Sequence, residues 1–334
     1  MYEDGPNPTK VQITPAYKRA NPPPPLVLIH DGGGTTFGYF MLGNLYREVW
    51  AIHNPHFFDG GAFEGGLDEM ARLYIQCMKD TGIKGNILLG GWSLGGFLSL
   101  TVARFLAEDP EATIKVLGIV MMDTPHHIPF SQVDGPTDDP VIGNIPEAIQ
   151  KCFDRCDEML ENWEVPKWDG PACDGKVVFF GVGGRRYSVP PGKVLYKPFG
   201  GTWSPVEVPP YNKPAEESPR GDEESRPEKA SSIAPPPTVL IRALQSMPLP
   251  EGRTEPYIID KHRGDRTLGW SANAPEFIKA VLDVNSNHYE MFEKTNNAQI
   301  KDMTTQLNLA LEILDSIGTS VNPSFGGKPK LDYL

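Results

Sequence analysis

The chain has 334 residues, a formal net charge of −12, four cysteines and seven histidines. That length suits one large α/β domain carrying an insertion, or two small domains. The acidic balance argues against nucleic acid or an anionic membrane as partner. Cys77, Cys152, Cys156 and Cys173 are too few for a disulfide framework. The start, Met1-Tyr2-Glu3-Asp4-Gly5-Pro6, lacks the basic and apolar regions of a secretory signal, and no apolar run approaches a membrane span. The expectation is a cytoplasmic monomer.

Residues 1–24 are polar and run into Pro22-Pro23-Pro24-Pro25, a stiff lead-in. Leu26-Val27-Leu28-Ile29 is a short continuous apolar run, as a buried parallel strand requires, and Glu48–Ile52 is a second. Apolar spacing predicts a helix over Leu67–Lys79, with Met70, Leu73, Tyr74 and Cys77 on one face. Asn86–Gly90 reads as a strand and is followed by a helical pattern through Leu94, Phe97, Leu98, Thr101, Val102, Phe105 and Leu106. Ile114–Met122 is another apolar strand. This order predicts a mainly parallel sheet with helices on both faces.

From Thr124 to about Pro236 the alternation breaks, and 124–236 reads as an insertion. Residues 144–163 form a predicted helix, capped by Asn144 with Glu147 three residues on, and carrying an apolar stripe from Ile145 to Trp163. Cys152 and Cys156 share one face of it. No Cys or His pair lies at ligand spacing to complete a metal site, so they read as small buried residues. Val177–Phe180 looks like a strand. The segment 213–237, rich in Pro and charge, has almost nothing to bury and reads as unstructured. The pattern resumes with strands at Thr238–Ala243 and Phe277–Val284 and a helix from Asn297 to Ile317, stopped by Gly318. The expected core is therefore 25–123 and 237–318, with a tail at 319–334.

Gly91-Trp92-Ser93-Leu94-Gly95 is a G-x-S-x-G between a predicted strand and a predicted helix, the context of a nucleophile elbow. A serine hydroxyl needs a base within hydrogen-bond reach, and the base needs an orienting carboxylate. Of the histidines, His30, His53, His56, His126, His127 and His262 sit near other elements. His288 lies just past the final strand, where the chain order serine, acid, histidine places the base. For the acid, the segment after Thr238–Ala243 offers no carboxylate until Glu251, whereas Asp123 ends a strongly apolar strand. Asp260 and Asp265 are further alternatives. His30-Asp31-Gly32-Gly33-Gly34-Thr35 has the glycines of an oxyanion loop, and the backbone N–H of Leu94 is the matching second donor.

These pieces together resemble the thioesterase domains that end fungal polyketide synthases and nonribosomal peptide synthetase-like enzymes. The resemblance is carried by Leu28–Gly34, Asn54-Pro55-His56-Phe57 with Met70-Ala71 and Tyr74, Gly90–Gly96, Met122-Asp123-Thr124-Pro125, Leu268-Gly269-Trp270 and Asn287–Phe292. It implies an α/β-hydrolase fold with a helical lid inserted after the acid-bearing strand. Ser93 is then the nucleophile, Asp123 the orienting acid and His288 the base, with oxyanion N–H groups at Gly32 and Leu94. Trp92, His30, Ile149 and Phe153 are the expected pocket residues. The resemblance further implies that the chain holds no metal or cofactor. The small acyl substrate would arrive on the phosphopantetheine of an acyl carrier protein or synthase acting in trans. Arg185 and Arg186 could meet such a carrier or simply face solvent. A cyclase or acyltransferase, a carboxylesterase or lactonase, and a non-catalytic interaction protein are the alternatives.

Overall fold

Continuous apolar runs must be covered on both faces, and that requirement organises the molecule. The computed structural model describes residues 5–143, 145–212, 233–292 and 297–320. The first half contains β1 (Thr9–Gln12), β2 (Leu26–Ile29), α1 (Phe37–Phe40), β3 (Val49–Ile52), α2 (Gly66–Asp80), β4 (Gly85–Trp92), α3 (Leu94–Glu108), β5 (Ile114–Met122) and α4 (Glu147–Glu161). The second contains β6 (Val178–Val182), β7 (Arg185–Val189), β8 (Lys193–Lys197), β9 (Ser204–Glu207), β10 (Thr238–Ala243), α5 (Trp270–Asn273), β11 (Ile278–Val284) and α6 (Asn297–Ser320).

Nine strands form one sheet in the order β1-β3-β2-β4-β5-β10-β11-β8-β9. All interior pairs are parallel, and only the edge strands β1 and β9 run antiparallel to their neighbours. Side chains alternate across β2 as strand geometry dictates. Val27 and Ile29 pack with Met70, Tyr74, Leu98 and Val102 of α2 and α3. Leu26 and Leu28 belong to the opposite layer, with Met303, Leu307, Leu311 and Leu314 of α6. This is an α/β-hydrolase fold. Trp92 pairs with Met122 and Met122 with Ile241, so the carboxyl ends of the central strands finish level at one edge. Such an edge is where open parallel sheets place their sites.

Several expectations need correction. The lead-in contains β1, a short half-exposed strand whose role as a sheet edge comes only from pairing with β3. The 124–236 span is not wholly an insertion. It supplies β8 and β9 to the main sheet, and the β6–β7 hairpin packs with α6 in the same apolar layer. Lys193 and Lys197 bracket β8, so its short apolar centre reads as loop. Its buried Val194 and Leu195 are paid for by β11, a neighbour distant in sequence. The segment over the sheet edge is the one carrying α4, which begins at Glu147 behind Pro146 without a side-chain cap. Residue Asn144, most of 213–237 (213–232) and 321–334 lie outside the described residues. Gly318 does not stop α6, which continues to Ser320. Among the described residues, no helix is long and apolar enough to cross a membrane.

Candidate active site

β4 ends at Trp92 and α3 begins at Leu94, so the reversal falls on Ser93, at φ 53° and ψ −115°. A residue with a Cβ held there costs about 1–3 kcal/mol and persists only where its surroundings over-determine it. Here they do. The Ser93 N–H donates to the Met122 carbonyl at 2.9 Å, and the Ser93 carbonyl accepts from Thr124 Oγ1 at 2.9 Å. The flanking glycines are obligatory. A Cβ on Gly91 would lie 2.5 Å from Gly95 Cα, and one on Gly95 would run into the Ile29 carbonyl oxygen. Tyr39 of α1 adds a clamp that local sequence did not announce. Its hydroxyl accepts from the Trp92 N–H at 3.0 Å and donates to the Ile29 carbonyl at 2.6 Å.

Asp123 leaves β5 beside Ser93, also at positive φ (45°), with its N–H donating to the Ile241 carbonyl at 2.7 Å. His288 lies in the loop after β11, where Asn287 Oδ1 accepts from the N–H groups of Tyr289 and Glu290 and shapes the turn. The structure brings the three side chains together. His288 Nδ1–H donates to Asp123 Oδ2 at 2.8 Å, and the Ser93 hydroxyl faces His288 Nε2 at 3.0 Å. The carboxylate fixes the tautomer that leaves Nε2 free to accept a proton. Asp123 and His288 are both buried.

Sequence reasoning missed the guanidinium on the far side of Asp123. Arg263 Nη1 donates to Asp123 Oδ1 at 2.5 Å and Nη2 to Oδ2 at 2.9 Å, while the Ala243 N–H donates to Oδ1 at 2.9 Å. Burial by itself pushes the Asp123 carboxyl up. Arg263 first, and then His288, reverse this and hold it well below the usual carboxylate range. Asp260, one of the alternative acids, meets Arg263 Nε at 2.9 Å rather than the imidazole. Asp265 accepts from the backbone N–H groups of Thr267 and Gly269 and so holds a turn.

Gly32 shares with Ser93 and His288 a cavity of about 90 Å³, walled by Trp92, Phe97, Phe153, Leu160 and Tyr289. A Cβ on Gly32 would meet Phe153 Cδ1 at 3.1 Å and Cys156 Sγ at 3.3 Å, so α4 lies directly over the glycine loop. Leu94 opens α3, where N–H groups lack intrahelical partners. Of the expected pocket residues, Trp92 and Phe153 line this cavity, whereas Ile149 rests against Gly33. His30 does not meet Ser93. It lines an adjoining cavity of about 870 Å³ between α2, α3 and α4, which also reaches Gly32 and Leu94, with Nδ1–H donating to the Asp31 carbonyl and Nε2 accepting from Tyr74. Burial lowers its imidazole to about 4. Asp139 and Asp157, which no motif flags, also line the Ser93 cavity. Burial raises both, with Asp138 adding to the effect on Asp139, and Asp139 and Asp154 adding to that on Asp157, which is raised to about 7. Cys152 and Cys156 are buried free thiols.

Residues 24–162 match the family model described as a thioesterase domain. The probable thioesterase KK1J of Curvularia clavata is 41% identical over 310 residues, which is 93% of this chain and 96% of that protein. The probable thioesterase lcsE of Purpureocillium lilacinum is 37% identical over 319 residues, covering 93% of this chain and 97% of its own length. Identity at this level, sustained over more than nine-tenths of each chain, settles the relationship: the chain belongs to the thioesterase family.

Proposed function

We propose that this thioesterase releases an acyl or polyketide chain from a carrier protein through an acyl-enzyme on Ser93, in a biosynthetic pathway of secondary metabolism. The observation that carries this reading is the hydrogen-bonded run from Ser93 through His288 to Asp123, set on an elbow at φ 53°. The Ser93 hydroxyl oxygen attacks the thioester carbonyl carbon while its proton passes to His288 Nε2. The carbonyl oxygen takes up the negative charge and lies against the N–H groups of Gly32 and Leu94. The tetrahedral intermediate then breaks its C–S bond, and the thiol of the carrier's phosphopantetheine leaves with the proton from His288. A water molecule next gives a proton to His288 and attacks the acyl-enzyme. Collapse of that second intermediate frees the carboxylic acid and returns the proton to Ser93.

A cavity of about 90 Å³ is smaller than the ~300 Å³ at which ligand pockets begin. In this reading the α4 segment, seated on Gly32 and Gly33, moves off the glycine loop to admit the acyl chain and closes over it to govern the entry of water. The test is intact-mass measurement after incubation with acyl-loaded carrier protein. An acyl adduct on the parent, absent from Ser93→Ala, together with release of free acid, is the expected result. Equal turnover by the two proteins overturns the reading.

A further inference from the structure

A bidentate guanidinium on the relay carboxylate raises a question of charge. Asp123 stabilises an imidazolium through its negative charge, yet Arg263 neutralises that charge from the other side. The same guanidinium carries a second buried carboxylate, because Arg263 Nε donates to Asp260 Oδ1 at 2.9 Å. Asp260 is itself fixed, with Oδ2 accepting from the Met247 N–H at 2.7 Å. Arg263 Nη1 also donates to the Ala243 carbonyl at 2.8 Å. The side chains of Arg263, Asp260 and Asp123 are all nearly inaccessible to solvent. One arginine thus joins the ends of β5 and β10 to the 257–268 loop, and the buried Asp123–Arg263–Asp260 row keeps one net negative charge.

We propose that Arg263, held in place by Asp260, is a positioning residue for the relay: it fixes the plane of the Asp123 carboxylate so that Oδ2 faces His288 Nδ1, and it passes the Asp260 charge into the field of the imidazole. The geometry supports both parts. A carboxylate at the end of a strand, on a backbone at positive φ, can otherwise rotate about its side-chain bonds. Here each oxygen receives one guanidinium hydrogen, and the remaining donors, the Ala243 N–H and the His288 Nδ1–H, approach one per oxygen. A lysine would supply the charge but not the planar fork. Among the described residues, the Trp92 and Tyr289 rings also face His288, the carboxylate of Asp139 lies within electrostatic reach from the segment before α4, and Asp31, His126, His127, Asp157, Lys261 and His262 line the same cavity. The hydrogen bonds of Arg263 go instead to Asp123, Asp260 and the Ala243 carbonyl.

The inference rests on the reading of Ser93 as nucleophile, and the experiment separates the two. The rate at which a fluorophosphonate labels Ser93 is followed against pH for the parent, Arg263→Gln, Arg263→Lys and Asp260→Asn. Proton NMR of the low-field imidazole–carboxylate hydrogen is recorded on each, with no substrate or probe present. Removing the guanidinium leaves two carboxylates near the imidazole, so the acid limb of the labelling profile moves up by about one pH unit. Removing the Asp260 charge leaves the guanidinium less opposed, and the limb moves down. Arg263→Lys keeps the limb near the parent's position but labels about tenfold more slowly, because charge survives and orientation does not. The low-field proton broadens or disappears in Arg263→Gln and persists in Asp260→Asn. A scaffold role alone would lower the melting temperature and labelling amplitude without opposite displacements of the limb. Unmoved limbs, or limbs moving the same way in Arg263→Gln and Asp260→Asn, overturn the proposal. If Ser93→Ala releases acyl chains as fast as the parent, the release reading fails while the pH profiles still decide the role of Arg263. If the parent does not label, the low-field proton decides it.

Discussion

Asp123→Asn keeps the shape of the relay and removes its charge. In this variant Arg263 loses one of two buried anionic partners but retains Asp260 and the Ala243 carbonyl. Breaking a buried pair by removing one partner costs about 3–5 kcal/mol, and the remaining contacts put this case near 3. The asparagine also has to choose between presenting oxygen to Arg263 or to His288. If its amide N–H₂ faces Nδ1, the ring holds its proton on Nε2 and cannot accept from Ser93. Fluorophosphonate labelling of Ser93 is therefore expected to slow by roughly four orders of magnitude, the scale of a wrong tautomer. The stability difference between parent and variant has a pH signature. The folded state depresses the Asp123 carboxyl below its unfolded value of about 3.9, so the stabilisation is complete above that pH and lost as pH falls toward the folded value. Chemical denaturation of both proteins near neutrality and in mild acid should give a constant gap that narrows only below about pH 4. A variant as stable as the parent at pH 7, or one that labels at the parent's rate, would rule out this role for the Asp123 charge.

Gly95→Ala places a Cβ against the backbone oxygen of Ile29, which cannot rotate away, so a loss of about 3 kcal/mol or failure to fold is expected, read by denaturant titration. Tyr74→Phe strands the buried Nε2 of His30 and should destabilise by about 1–3 kcal/mol while leaving the labelling rate of Ser93 within a fewfold of the parent, because His30 lies outside the Ser93 cavity. Phe153→Ala removes the ring between α4 and the glycine loop. Labelling by a long-chain alkyl phosphonate should rise severalfold relative to a methyl phosphonate, and an unchanged ratio would mean that Phe153 does not limit access.

Features decided within a few residues or one helical period are legible along the chain. Gly91, Ser93 and Gly95 announce the elbow because its sterics are local. Leu26–Ile29 and Gly118–Met122 announce central strands because a segment buried on both faces has no position for a polar side chain. The place of His288 after the last strand comes from chain order, and that of Asp123 from the end of an apolar run. The remainder depended on contacts between distant segments. β1, β8 and β9 are short and each carries a charged residue, and pairing makes them strands, β1 with β3 and β8 with β11 far away in sequence and β9 with β8. His30 resembles a pocket residue because it adjoins the glycines, yet Tyr74 draws it to the other cavity. Arg263 lies in Lys261-His262-Arg263-Gly264-Asp265-Arg266, a stretch that reads as solvated loop. Only its spacing of three from Asp260 hints at a pair. Its principal partner is 140 residues away, and burying a guanidinium is tolerable only once folding has delivered Asp123 and Asp260 to it.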